Sequence, residues 1–282
     1  MLVIHDPDHL KAEIRSLKVA GNKIGFVPTM GFLHDGHLAL VQEALTENNW
    51  VVVSIFVNPL QFNNPEDFLL YPHDLPADLE KLKKAGVHMV FVPSKEAMYT
   101  EKPTATLSFG TLESTMEGKY RPGHFQGVGV VVAKLFNMVS PDMAYFGLKD
   151  LQQFLIIRAL VRDLSFQIEV KGMPTVREKT GLALSSRNAR LSEAGRQQAA
   201  AIFQGLKIAE KEIMERRPPI DVVKGLQHFY QQNPGLRVEY AELVSAETLL
   251  SVTSYEVSGY VALCVAVYVE GVRLIDNLYL RL

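Results

Sequence analysis

Two histidines three residues apart, His34 and His37, stand in Pro28-Thr29-Met30-Gly31-Phe32-Leu33-His34-Asp35-Gly36-His37, between the apolar run 24–27 and a helix-like stretch 38–45. A strand, a glycine turn and a helix N-terminus make an anion site. The first-turn N–H groups lack helical partners, and the macrodipole adds partial positive charge there. Gly31 and Gly36 permit positive φ and close backbone approach, and the two imidazoles can face one way if the turn is helical. Phosphate suits such a turn. A zinc pair is the competing reading, but it needs a third ligand at recognisable spacing, and one cysteine and six scattered further histidines supply none.

Other polar side chains fall at similar places. Asn58 and Gln61 follow the apolar run 51–57, where ligands of an open α/β sheet bind beyond strand ends; ordinary turn chemistry is the alternative, favoured for Asn58. Arg121 lies in a glycine-rich basic loop, 118–125, of the kind that closes over a charged ligand or simply faces solvent. Gly147-Leu148-Lys149-Asp150 repeats the opening logic at the head of a second helix. There Lys149 can meet a phosphate and Asp150 can cap the helix or hold a ribose, with Gln153 one turn further on. Ser185, Ser186 and Arg187 offer two hydroxyls and a guanidinium near a hinge, able to close on a polyphosphate; the bland reading is a turn.

The elements that must position these residues alternate in the first half. Helix 7–20, strand 24–27, helix 37–47, strand 51–57, helix 75–85, strands 89–92 and 105–109, helix 128–139, strand 144–146, helix 150–162 and strand 167–171 describe an α/β domain with a parallel sheet. Residues 63–68 read as loop and 94–102 as irregular. Asp78 sits in the first turns of its helix, where a carboxylate complements the dipole. Gly127-Val128-Gly129 lacks the third glycine of a nicotinamide fingerprint, since position 132 is Val132, and helix packing accounts for these glycines. From 175 the pattern changes to helices 193–216 and 220–232, then strands 236–244, 259–269 and 272–280, a smaller α+β domain. The expected division is 1–174 and 175–282.

At 282 residues the chain suits two domains. A formal charge of −2 and an isoelectric point near 6.5 leave no footprint for nucleic acid. No apolar run has membrane-spanning length, the N-terminal residues lack a secretory core, and Cys264 reads as a buried thiol. A cytoplasmic protein without disulfides, nucleic acid or membrane partners is expected.

The 31–37 and 147–150 turns and the 185–188 loop are anion-friendly in the same way, which favours a nucleoside triphosphate site; no P-loop motif occurs. The ordered set Pro28-Thr29-Met30-Gly31-x-Leu33-His34-x-Gly36-His37, Phe56-Val57-Asn58-Pro59-x-Gln61-Phe62, Tyr71-Pro72, Arg121-Pro122-x-His124-Phe125-x-Gly127-Val128, Phe146-Gly147-x-Lys149-Asp150-x-Gln152-Gln153 and Ser185-Ser186-Arg187-Asn188 resembles the pantothenate synthetases, within the wider His-x-Gly-His nucleotidyltransferase superfamily. The resemblance implies a Rossmann-like N-terminal domain, a C-terminal lid and a homodimer. The implied activity is ATP-dependent condensation of pantoate with β-alanine through a pantoyl-adenylate. It assigns His34, His37, Lys149, Ser185, Ser186 and Arg187 to the phosphates, with Mg²⁺ on the β and γ oxygens. Gly147 and Asp150 go to the ribose, Val176 to an adenine backbone contact, and Pro28, Met30, Gly36 and Leu184 to the rest of the ATP site. Pantoate falls to Met30, Gln61 and Gln153, supported by Asn58 and Tyr71. Leu148, Leu151, Thr180 and Leu184 depart from the family pattern, and Ala77 replaces one acid of a commonly paired site, leaving Asp78 as the metal-side carboxylate. A nucleotidyltransferase that stops at nucleotide transfer and a catalytically silent nucleotide-binding regulator are the rival readings.

Overall fold

Near-continuous apolar runs with β-branched residues, as at 24–27 and 51–53, are suited to strands buried on both faces, and six strands pair in a computed structural model that describes residues 1–255 and 259–282. They are β1 (Leu2–Ile4), β2 (Ile24–Thr29), β3 (Trp50–Ile55), β4 (Met89–Phe91), β5 (Met143–Gly147) and β6 (Glu169–Met173). All pairings are parallel, in the order β1-β4-β3-β2-β5-β6. The chain winds outward from β2 to β4, then returns to place β5 on the other side of β2. This makes the carboxyl ends of β2 and β5 the switch point where such sheets bind ligands.

The connecting helices are α1 (Pro7–Val19), α2 (Asp35–Glu47), α3 (Pro65–Leu69), α4 (Leu75–Ala85), α5 (Lys95–Met98), α6 (Met116–Tyr120), α7 (His124–Val139) and α8 (Leu151–Asp163). Capping chemistry fixes several ends: Asp6, Asn64, Asp74 and Ser94 accept first-turn N–H groups, and Gly86 closes α4 at φ 87°. Pro28 does not end its strand. β2 continues to Thr29 because, past Phe26, it pairs only with β3, so the missing N–H of Pro28 costs no bond to β5.

Residues 105–109 do not form the expected strand. They run as irregular chain into a 3₁₀ turn, Gly110–Glu113, and Leu107 and Phe109 lie against α7 at Gly129, where a Cβ would come within 3.2 and 2.8 Å of them. Alternating apolar residues thus pack on a helix instead of a sheet. Residues 65–69 are helical rather than loop, and 95–98 form a short helix.

The chain forms two compact units. The first comprises Met1–Glu113, Glu117–Leu148 and Gln152–Pro174, the second Ser114–Met116, Lys149–Leu151 and Thr175–Leu282. In the first, Val27, Leu33, Val41, Val53, Leu82 and Tyr145 belong to one core that joins the central strands to α2 and α4. In the second, α9 (Glu193–Met214) and α10 (Pro219–Gln231) accompany an antiparallel sheet β7-β8-β9 (Leu236–Ser245, Tyr260–Val269, Val272–Arg281). The helices approach closely at Gly205, where a Cβ would lie 2.6 Å from the Tyr230 ring. The two-residue turn Glu270-Gly271, at φ 50° and 75°, matches the primed turns that suit strand twist, and the Glu270 carboxylate accepts from Ser192 N and Oγ, bracing the N-cap of α9.

Candidate active site

The histidine turn leaves the end of β2 through two consecutive positive-φ residues, Gly31 at 84° and Phe32 at 52°. His34 is the N-cap of α2. Its Nδ1 accepts from Gly36 N at 3.1 Å, and His37 Nδ1 accepts from His34 N at 3.3 Å, a capping box built from two imidazoles whose ring centroids are 4.0 Å apart. An Nδ1 that accepts a backbone N–H leaves the ring proton of the neutral imidazole on Nε2. The turn therefore offers imidazole donors, while two of its first-turn amides are already engaged, Gly36 N by the His34 ring and His37 N by His34 O at 2.8 Å. These are amides that the helix-start pattern alone assigns to an anion.

Asp78 lies against the same turn. It is 2% exposed, and its two oxygens accept from Phe32 N and Leu33 N, each at 2.7 Å. A left-handed non-glycine residue costs about 1–2 kcal/mol, and a hydrogen bond to a charged group contributes about 1.5–3 kcal/mol; two such bonds outweigh the strain at Phe32. Lys81, one turn along α4, donates to Leu33 O at 2.6 Å. The buried carboxylate is thus engaged by two backbone amides of the histidine turn. Among the described residues no group of three or more His, Cys, Asp or Glu is placed to hold a metal ion. The described residues thus form no all-protein Mg²⁺ cage.

At the end of β3, Asn58 caps the 3₁₀ turn Pro59–Gln61. Its Oδ1 accepts from Leu60 N (3.3 Å) and from the Tyr99 hydroxyl (2.8 Å), while Nδ2 donates to Gly127 O and to Gln61 Oε1, both at 3.1 Å. Leu60 N can only donate and Gly127 O can only accept, so the amide orientation of Asn58 is fixed. That in turn fixes Gln61, whose Nε2 points at Met30 Sδ, 2.9 Å away. Burial pushes the Tyr99 phenol well above its ordinary range, which keeps it a donor. Gly127 lets α7 approach this turn: a Cβ there would stand 2.2 Å from Leu60 O. Gly127 therefore shapes this turn, while Gly129 packs α7 against Leu107 and Phe109.

Asn58 is 1% exposed and holds Gln61 from behind as the cap of this turn. Tyr71, also buried, sets its ring edge-on to Phe62 at 5.9 Å. The carbonyl of Gln61 accepts from His124 Nδ1 (2.7 Å), and Arg121 reaches both His124 Nε2 (3.3 Å) and Glu117 (3.7 Å). Arg121 is thus tied to the Gln61 turn, between α6 and α7. The neighbouring glutamines divide: Gln152 is buried, accepting from Glu117 N and donating to Leu112 O, whereas Gln153 is half-buried. Tyr99, His124 and Gln152 lie among these contacts; His124 and Gln152 stand inside the motifs quoted above, whereas no local signal singles out Tyr99.

In the second unit Lys149 lies 3.8 Å from Asp150, and its carbonyl accepts from Asn277 Nδ2 at 2.8 Å. Lys149, Ser185, Asn188 and Asp276 line a small cavity with apolar neighbours, and the buried Asn188 Oδ1 has no hydrogen-bond partner. Ser185 caps the 3₁₀ turn Ser186–Arg190 by accepting from Arg187 N at 3.3 Å, and Ser186 is buried. The Val176 carbonyl accepts from Leu184 N at 3.0 Å, within a narrow hairpin closed by Gly181. Arg177 makes a bidentate pair with Asp276 (2.6 and 2.9 Å) and covers the Phe203 ring at 3.9 Å. Burial pushes the Asp276 carboxyl up despite the opposing pull of Arg177.

A parallel sheet whose switch point carries a His-x-Gly-His turn on a helix N-terminus defines a nucleotide-handling α/β protein of the histidine-turn class. Residues 2–279 match the family model for pantoate-beta-alanine ligase. The chain is 44% identical to the pantothenate synthetase of Cytophaga hutchinsonii across the whole of both proteins, and 46% identical to that of Bacteroides thetaiotaomicron over 99% of this chain and 98% of the relative. A crystal structure of pantothenate synthetase from Thermus thermophilus superposes with a TM-score of 0.92 at 43% identity, covering 99% of each chain. The Francisella tularensis pantoate-beta-alanine ligase, solved with β-γ ATP and β-alanine, superposes at 0.80 and 33% identity, covering 99% of this chain and 97% of that one. The chain belongs to the pantoate-beta-alanine ligase family.

Proposed function

We propose that His34, His37, Lys149, Ser185, Ser186 and Arg187 bind and neutralise ATP while this chain carries out the reaction of its family, the ATP-dependent condensation of pantoate with β-alanine. The pantoate carboxylate attacks the α-phosphorus of ATP, a P–O bond breaks and diphosphate leaves. The neutral amine of β-alanine then attacks the acyl carbon of the pantoyl-adenylate, forming the C–N bond of pantothenate and releasing AMP and a proton. Two anions must meet in the first step, so prearranged donors are the catalytic requirement. What supports the assignment most directly is the double Nδ1 capping of His34 and His37, which leaves both imidazoles as Nε2–H donors at the switch point.

Gly147, Asp150 and the Val176 backbone take the nucleoside, with Pro28, Gly36 and Leu184 beside it. Met30, Gln61 and Gln153 take pantoate. Gln61 presents an amide N–H₂, the correct polarity for a carboxylate or hydroxyl oxygen. Mg²⁺ enters as the partner of ATP. The same proposal makes the protein a cytoplasmic homodimer, and a sedimenting mass near the 31.5 kDa of one chain would remove the dimer.

The test follows AMP and pantothenate with ATP and pantoate present, with and without β-alanine. AMP formation that requires pantoate, and pantothenate that requires both, are expected; no AMP under any condition refutes the ligase. Lys149→Ala should lower adenylation by about 10²–10³-fold, the loss typical of one transition-state donor, with the fold retained. Wild-type turnover in that variant removes Lys149 from the mechanism.

A further inference from the structure

We infer that α4 is a splint for the histidine turn, and that Asp78 and Lys81 are positioning residues for the phosphate-binding imidazoles. The Asp78 carboxylate accepts both Phe32 N and Leu33 N, Lys81 Nζ donates to Leu33 O, and Thr29 Oγ1 accepts from Gly31 N at 3.2 Å while donating to Ser54 O at 2.7 Å. Both polar groups of the Leu33 residue, immediately before His34, are thus held by one helix. Leu33 itself is 2% exposed and shares its core with Leu82 of α4.

The same contacts decide which backbone amides are already engaged. Two consecutive positive-φ residues turn the Phe32 and Leu33 amides to one side, and successive amides so arranged form an anion-binding concavity. Here the protein's own carboxylate fills that concavity, at 2.7 Å from both nitrogens. With Gly36 N engaged by the His34 ring, the charge of ATP is directed onto the imidazole Nε2 donors, whose placement then depends on a backbone that Asp78 and Lys81 hold still.

Asp78→Asn keeps the shape but sets an amide N–H₂ against one backbone N–H, and Lys81→Met keeps the apolar stem while deleting the ammonium. Ile14→Val, a buried position of α1 outside the core that holds Leu33, serves as a reference for loss of stability alone. Steady-state adenylation and thermal midpoints would be measured for all three, with ring ¹⁵N spectra of His34 and His37. The expectation is a fall in kcat of about tenfold or more for Asp78→Asn and about threefold for Lys81→Met, pantoate KM within about twofold, and shifted ring ¹⁵N resonances. Variants that keep wild-type kcat and histidine spectra, or that lose no more activity than Ile14→Val at equal thermal midpoint, overturn the splint. If Asp78→Asn does not fold, Lys81→Met decides alone by the same readouts. The inference rests on the proposed function, but the failures differ: an inactive wild type refutes the ligase, whereas an active wild type beside equally active Asp78→Asn and Lys81→Met refutes only the splint.

Discussion

Replacing Asn58 by alanine separates positioning from contact. The side chain is 1% exposed and makes four hydrogen bonds, to Leu60 N, the Tyr99 hydroxyl, Gly127 O and Gln61 Oε1. Each ordinary bond contributes about 0.5–1.5 kcal/mol net, and a buried group left unpaired costs about 1–3 kcal/mol. Water entering the space left by the amide recovers part of this, so a stability loss of about 2–5 kcal/mol follows. The kinetic effect is separate. Without Asn58 Nδ2, nothing fixes Gln61 with Oε1 inward and Nε2 toward Met30, and a flipped amide presents an oxygen to an oxygen of the substrate. Losing a hydrogen bond to a charged group is worth about 1.5–3 kcal/mol, or roughly a ten- to hundredfold rise in pantoate KM. ATP KM should stay within about twofold, because the histidine turn keeps its own supports. Gly127→Ala attacks the same unit from the other side, driving a Cβ into the Leu60 carbonyl at 2.2 Å. It should raise pantoate KM more than Gly129→Ala, whose Cβ meets only the Phe109 and Leu107 side chains. Initial rates at varied pantoate and saturating ATP, with denaturant unfolding alongside, give both quantities. A folded Asn58→Ala enzyme with wild-type pantoate KM refutes the orientation argument.

Two further predictions concern stability. Burial, and then the positive N-terminus, lower the pKa of His88 below its ordinary value of 6.5, and Nδ1 accepts from Val51 N at 3.0 Å. A histidine whose folded pKa is depressed contributes stability that is complete above pH 6.5 and is lost as pH falls through the lower folded value. Trp50, the only tryptophan, lies 5.0 Å from the His88 ring, so its fluorescence should be quenched as the imidazolium forms, with a midpoint below 6.5 that vanishes in His88→Gln. A midpoint above 6.5 contradicts the sign. In the second unit, Arg177→Met leaves the Asp276 carboxylate buried without its bidentate partner and should cost roughly 3–5 kcal/mol, while Arg177→Met paired with Asp276→Leu should recover much of it. Equal stability of the single and double variants in a denaturant titration refutes this account.

The amino-acid sequence by itself determined what depends on near neighbours. The apolar β-branched runs, the helix caps and the glycine turns after β2 and β5 follow from steric preference and capping chemistry within a few residues. They sufficed to place His34, His37 and Lys149 at helix starts and to define an α/β class. The 105–109 segment shows the limit: its alternation satisfies a strand, but what an alternating face packs against is decided elsewhere, here by α7. Asp78 is the sharper instance. In sequence it is an acid in the first turns of a helix, suited to a dipole or a metal; the fold brings it to amides 45 and 46 residues away and makes it the internal anion of the histidine turn. Gln61 owes its donor orientation to Gly127 and Tyr99, 69 and 41 residues from Asn58. Such polarity is set by which unambiguous donors and acceptors the packed chain places in contact, and only the tertiary structure brings them together.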